Sequence, residues 1–577
     1  MKCLHTHSAR LVAIAAAAAL ALTVVLGAAP ATAGVSLVAG SDVQANSPQV
    51  AGDPASDSNA VFPTNKSNEP TVAVNPLDRR HLIGGANDEQ HQPACGPGPV
   101  RGATIGSDCS FFPRVGTSGV YTSADGGTTW VNRGLLDDQA SWRGAGVVSD
   151  GDPVIAYGPK PDGAGRFSWT NGARVYYSSL ASIPSLKGFE FIVVAYSDDD
   201  GLTWSAPVVA TTKTSSVDFN DKGWIGVDTS TSSAFFGRVY LSWTEFRSAG
   251  NGSEPVMIAS SPDGGRSFAA PTQLSPAGNN GTGNGRQGSS IAVGPDGSIY
   301  VAFEQGASQV VTLSRDGGSR WTRPAAAGPV ADITDPIPGA NFRTDSFPVI
   351  AADPRPSSRT LYLAWVTRTA AGGRVVVATS NDRGASWHPP TRVSGGEGYA
   401  FFPGLAITGD GRPVIAYQVL NAIDPTRFGT GNARIDAYAT TGTAASTSAA
   451  VGGAGTKGGW SAPVRLNKVS SDPAASAQNN LQRQFWGDYN TLTAAGNTAW
   501  FAWTDSRGGT GCVAVDAYQK YLVDNGLVIR DDGADRLTQA TTGINPALSD
   551  PSVKPAPGLD CPAQFGNTDT YVTSFTP

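Results

Sequence analysis

The chain has 577 residues, 41 Lys and Arg against 47 Asp and Glu, a formal net charge of −6 and 40% hydrophobic residues. That balance supplies no basic face, so nucleic acid and acidic membrane surfaces are not expected as partners. With 70 Gly and 40 Pro between many short apolar runs, the composition argues for an all-β protein rich in turns.

The first element in chain order is a targeting segment. Lys2 and Arg10 precede an apolar run from Leu11 to Leu26, and Ala31-Thr32-Ala33 has the small-x-small form of a cleavage site. Residues 1–33 therefore read as a signal peptide, and the secreted, mature chain is expected to begin near Gly34. Its removal takes two of the 41 basic residues and none of the acidic ones, which leaves the rest more acidic. No later run approaches the roughly 18 apolar residues of a membrane span, so export without a membrane anchor is expected. Residues 34–64, rich in Ser, Asp, Pro and Gly, read as a linker that can contain a strand closing a seam. Residues 65–577 form one repeat domain.

Within that domain the pattern Ser-x-Asp-x-Gly-x-x-Trp/Phe occurs five times, as SADGGTTW (123–130), SDDDGLTW (197–204), SPDGGRSF (261–268), SRDGGSRW (314–321) and SNDRGASW (380–387). The Ser and Asp side chains can bond turn amides, the Gly supplies positive φ, and the ring seals the hairpin against its neighbour. Each copy follows a pair of apolar runs that read as the two inner strands of one unit: EPTVAV and HLIGGA, a second unit from DPVIAY, KGWIGV and RVYLSW, SSIAV and SIYVAF, FPVIAA and TLYLAW. Two further units lack the pattern. One has PGLAI and PVIAY followed by WSAPVRL; the other has YNTLTA and AWFAWTD followed by VAVDAYQKYLV.

These five motifs resemble those of the Asp-box (BNR repeat) proteins of the sialidase superfamily, which are β-propellers. The resemblance implies a propeller of four-stranded antiparallel blades. The strand sets predict seven of them, and the six-bladed form of sialidases is the alternative. A terminal strand must then complete the last blade, either DTYVTSF (569–575) or one before Glu69.

Once the signal is gone, Cys95, Cys109, Cys512 and Cys561 remain, an even number that reads as two disulfides in an exported chain. Local pairing, Cys95 with Cys109 and Cys512 with Cys561, is expected. No C-x-x-C pair exists and only His81, His91 and His388 follow the signal, so no metal or cofactor is expected, with structural calcium left open.

In such a blade the innermost strand starts at one face, so the Asp boxes fall on the opposite face and serve as hairpin staples. The mouth is built from innermost-strand starts and second-strand ends. This places Glu69, Asp221, Asp488 and Tyr489 as candidate catalytic groups, with Trp224, Arg286, Arg343, Trp486 and Arg507 as candidate substrate-binding groups. Carboxylates, guanidinium groups and flat rings around one opening suit a carbohydrate. No H-E-x-x-H or G-x-S-x-G sequence points to zinc or Ser-His-Asp hydrolysis. The resemblance implies a Tyr nucleophile polarised by Glu, an Asp acid/base and three Arg that hold a sugar carboxylate. However, the Phe/Tyr-Arg-Ile-Pro signature is missing, and Phe112-Pro113-Arg114 is no substitute for it. The expected function is a secreted, monomeric, sialidase-like propeller acting on glycans, with exo-α-sialidase as its most specific form. The alternatives are a non-catalytic propeller that binds glycan or protein, and a hydrolase or lyase for another polysaccharide.

Overall fold

The structure, a computed structural model, describes residues 37–49, 65–90, 116–183, 190–211, 218–247, 252–276, 278, 286–396, 398–443, 459–477, 483–524 and 561–577. The chain divides into Met1–Gly34, which lies outside these residues together with Cys95 and Cys109, and Val35–Pro577, which forms the propeller.

Twenty-eight strands make seven four-stranded antiparallel sheets among the described residues, so the count is seven and not six. After β1 (Val38–Gln44), blade one is β2 (Ser67–Val74), β3 (Leu82–Asp88), β4 (Ser118–Ser123) and β5 (Val131–Leu135). A short helix, α1 (Ala140–Ala145), leads to blade two: β6 (Val148–Pro161), β7 (Phe167–Ser182), β8 (Phe191–Ser197) and β9 (Val208–Val209). Blade three is β10 (Phe219–Val227), β11 (Val239–Phe246), β12 (Val256–Ser261) and β13 (Thr272–Gln273). Blade four is β14 (Arg286–Val293), β15 (Ile299–Gln305), β16 (Ser308–Ser314) and β17 (Ala325–Pro329). Blade five is β18 (Val349–Ala352), β19 (Leu361–Thr369), β20 (Gly372–Ser380) and β21 (Thr391–Arg392). Blade six, without an Asp box, is β22 (Tyr399–Ile407), β23 (Pro413–Ala422), β24 (Ala433–Thr441) and β25 (Val464–Arg465).

Blade seven closes the ring from both ends of the sequence. Its order is β1, β28 (Asp569–Thr576), β27 (Thr498–Asp505) and β26 (Thr491–Ala495), so both candidate seam segments are used. The run VAVDAYQKYLV lies in a helix, α2 (Val513–Asp524), and contributes no strand. Its Val515 and Tyr518, three apart on one helical face, are buried with Cys512 and Phe565. Cys512 is bonded to Cys561, as the local pairing expects. No helix among the described residues is long and apolar enough to cross a membrane.

The core lies mainly between blades. On second strands Trp243, Trp365 and Trp503 are fully buried at matching positions. The Asp boxes join blades as well as turning chains. In the first, Ser123 Oγ donates to Asp125 Oδ1 (2.9 Å) and accepts from the Gly127 amide (2.9 Å), while Asp125 Oδ1 accepts from the Thr129 amide (2.9 Å). The box carbonyls then accept from the preceding blade: Gly126 from Trp500 Nε1 (2.9 Å), Gly264 from Arg174 (2.9 Å) and Gly317 from Arg238 (2.8 Å).

One local irregularity positions the mouth. Five innermost strands, β2, β6, β10, β14 and β22, have a register shift near their starts. Glu69, Asp152, Lys222 and Phe402 sit within these bulges with φ of 53°, 51°, 56° and 46°, a left-handed conformation uncommon for residues with a Cβ. Such a conformation persists only where its surroundings hold it, and it clusters at functional sites.

Candidate functional site

The bulged starts of β2, β6 and β10 place three carboxyl groups side by side on adjoining blades. Asn87, at the end of β3, donates to Glu69 Oε2 (2.8 Å), and its own oxygen accepts from the Asp152 amide (2.9 Å). Asp152 Oδ2 accepts in turn from the Lys222 amide (3.2 Å), so each blade start grips the next. The Asp152 carboxyl is hydrogen-bonded to both Glu69 and Asp221. Burial, followed by the charge of Glu69 and the proton it gives to Glu69, pushes Asp152 well above the usual carboxylate range. Glu69, only 1% exposed, is also pushed up, by burial and then by the negative charge of Asp488. Burial and the neighbouring carboxylate thus disfavour the ionised form of Asp152.

Blade seven approaches from the other side. The Arg343 guanidinium binds Asp488 with two hydrogen bonds of 2.7 Å each. Tyr489 donates to the Pro153 carbonyl on blade two (3.1 Å). Burial, then the charges of Asp152 and Glu69, raise its phenol well above the ordinary value, which disfavours a phenolate there. The Lys222 ammonium lies 3.3 Å from the centre of the Tyr489 ring, with the Trp224 and Phe347 rings 5.4 and 5.9 Å away. Lys222, Trp224, Asp345, Phe347, Asp488 and Tyr489 all line a small hollow with room for about one water-sized group. Beside it, Glu304, Asp332 and Asp345 bring carboxylate oxygens within 4.8 Å of one another, and burial with the charge of Asp345 pushes Glu304 up to about 10.

The structure thus brings together Glu69, Asp221, Asp488, Tyr489, Trp224 and Arg343 of the residues expected from the sequence. It does not bring in two others. Trp486 is fully buried, donating to Gln418 Oε1 (3.0 Å) and packed on Phe342, so it offers no ring face to a ligand. Arg507 is committed to the seam: it binds Asp505 (2.6 Å) and Asp42 and lies 3.9 Å over the Tyr571 ring. Arg286 opens β14, and its side chain lies outside what is described. Asp152 and Asn87 were not among the expected site residues. The repeated X-Pro at blade starts, Glu69-Pro70, Asp152-Pro153 and Phe402-Pro403, was the signal for Asp152.

Seven four-stranded blades, with Asp-box hairpins opposite a carboxylate-lined mouth, define a seven-bladed β-propeller. Residues 185–395, which carry the second to fifth boxes, match the family model described as a BNR repeat-like domain. No curated protein matches the chain. Among solved structures it is similar to the α-L-arabinofuranosidase Arb93A of Fusarium graminearum, at 15% identity and TM-score 0.41 over 66% of this chain and 93% of that one. It is also similar to the Hadza microbial sialidase Hz136, at 16% identity and TM-score 0.37 over 62% and 66%. A third similar structure is the leech intramolecular trans-sialidase, at 14% identity and TM-score 0.37 over 65% and 67%.

Proposed function

We propose that the protein is an exported, glycan-acting glycoside hydrolase whose chemistry runs on the carboxyl groups of the mouth. The observation that carries this reading is the row Glu69, Asp152, Asp221, contributed by three adjoining blades and tied together through Asn87 and the Lys222 amide, with burial pushing Asp152 and Glu69 upward. Asp152 then protonates the leaving glycosidic oxygen. Asp488, on the Arg343 side, is the second carboxylate that such hydrolysis needs, acting on the anomeric carbon directly or through water. The Cys512–Cys561 disulfide fits an oxidising compartment, in keeping with export.

The sialidase form of this reading asks for guanidinium groups that grip a sugar carboxylate. Arg343 is already bound on two sides by Asp488, and Arg507 serves the seam. Both of these guanidinium groups are engaged, which favours uncharged sugars as substrates, while the Arg286 side chain lies outside the described residues. The test is hydrolysis of nitrophenyl glycosides of neutral sugars beside a sialoside. Asp152→Asn should cut kcat/KM by at least about 100-fold, in the range of general acid catalysis, while Tyr489→Phe should keep most of it. Loss of turnover in Tyr489→Phe, with a sialoside preferred, would restore the Tyr nucleophile and the sialidase. Binding of a sugar without turnover of any substrate would leave the non-catalytic propeller.

A further inference from the structure

Lys222 is 6% exposed, and its ammonium has no hydrogen-bond partner among the described residues. An ammonium carries three donors, and leaving them buried and unspent is costly. The Lys222 backbone is held at φ 56° by the bulge in β10, and its amide is tied to Asp152. The Tyr489 ring lies 3.3 Å away, and the Trp224 and Phe347 rings are within 6 Å. These rings attract the charge without accepting a hydrogen bond in the ordinary sense. Burial pushes the Lys222 pKa down, and the charges of Asp152, Glu69, Asp488 and Asp221 oppose that shift. The same hollow is lined by Asp345 and Asp488, which accept hydrogen bonds and give none when ionised.

We infer that Lys222 is a ligand-binding residue that donates to a hydroxyl oxygen which an uncharged, polyhydroxylated ligand bound at the propeller mouth inserts into this small hollow. The inference rests on the glycan reading and narrows it. The ligand brings an acceptor oxygen for Lys222, and its hydroxyls can also donate to the carboxylates beside it, which already hold other partners. A sugar hydroxyl is both donor and acceptor, so one neutral ring meets all of these demands. A free anion meets only the first and is repelled by the carboxylates around it.

The test is binding of L-arabinose, D-galactose, D-glucose, N-acetylneuraminic acid and inorganic phosphate to the whole protein by saturation-transfer NMR and calorimetry. At least one neutral sugar should bind the wild type more tightly than either anion does. Lys222→Met should weaken that sugar at least tenfold. Lys222→Gln, which keeps an amide donor, should lie between the two and serves where the Met variant does not fold. Equal binding of a neutral sugar by wild type and both variants overturns the role of Lys222 and spares the glycan reading. Preference for phosphate or N-acetylneuraminic acid overturns the neutral-ligand assignment. No sugar bound by the wild type overturns the glycan reading, and this inference with it.

Discussion

At the scale of single residues, the buried acids set how the molecule responds to pH. Asp569 opens β28, accepting from Gln44 (2.9 Å) and Asn46 (3.0 Å), and burial, with the charge of Asp505, pushes its carboxyl up to about 7. In the unfolded chain the group titrates near 3.9. Between roughly pH 4 and 7 the unfolded state loses this proton while the folded state keeps it, so stability falls as pH rises, by up to about 1.4 kcal/mol per pH unit from this group. Asp569→Asn should remove that slope, read as the difference in urea midpoint between pH 5 and 7.5. An unchanged slope would show that Asp569 is already ionised at pH 5. Sequence spacing found Glu69, Asp221 and Asp488 because each stands next to an apolar inner strand. It missed Asp152, whose part in the row depends on contacts with the blades either side, and it enrolled Trp486, whose indole turns into the core to reach Gln418.

At the scale of elements, the Asp box was the most legible feature, since its pattern encodes its own hydrogen bonds. Asp199 accepts from Ser197 Oγ (2.7 Å), the Thr203 amide (2.9 Å) and Thr203 Oγ1 (2.6 Å). Against the upward pull of burial, these bonds hold its carboxyl below the usual value. Asp199→Ala should therefore cost about 1–2 kcal/mol near neutral pH. That difference should shrink as pH falls through the lowered folded value, because the native bonds favour the ionised form. Asp199→Asn, which keeps one acceptor, should lose less in the same denaturation experiment. Helix α2 was less legible: VAVDAYQKYLV follows two strands of a blade and carries enough β-branched and aromatic residues to pass for a third. Its burial of Val515, Tyr518 and Gln519 is decided by the surface it lies on, where Gln519 accepts from Gln484 (2.7 Å).

For the whole molecule, the count of seven could be read from the sequence because every blade repeats its inner pair of strands. The way the ring closes could be bounded but not chosen, since either terminal strand was sufficient on paper and only pairing in space shows that both are used. In blade seven β27 is followed by α2 and reaches β28 only at Asp569, with Cys512 bonded to Cys561 inside that connection. The bond closes a loop with a sequence separation of 49 residues and brings Cys561 back beside α2, eight positions before β28 begins. Without it, β28 must find the edge of β27 from a much longer tether, while β1 can pair only with a β28 already in place. In the chain-entropy model a loop of this length is worth about 4 kcal/mol. The Cys512→Ser, Cys561→Ser double variant should thus lose stability of that order, and the loss should start at the seam. Amide exchange should rise first in β28 and β1, while β15 and β19, flanked by complete blades, keep their protection. Uniformly faster exchange in all seven blades would instead mean that the ring opens as one cooperative unit, with the disulfide acting on the whole propeller and not on its closure.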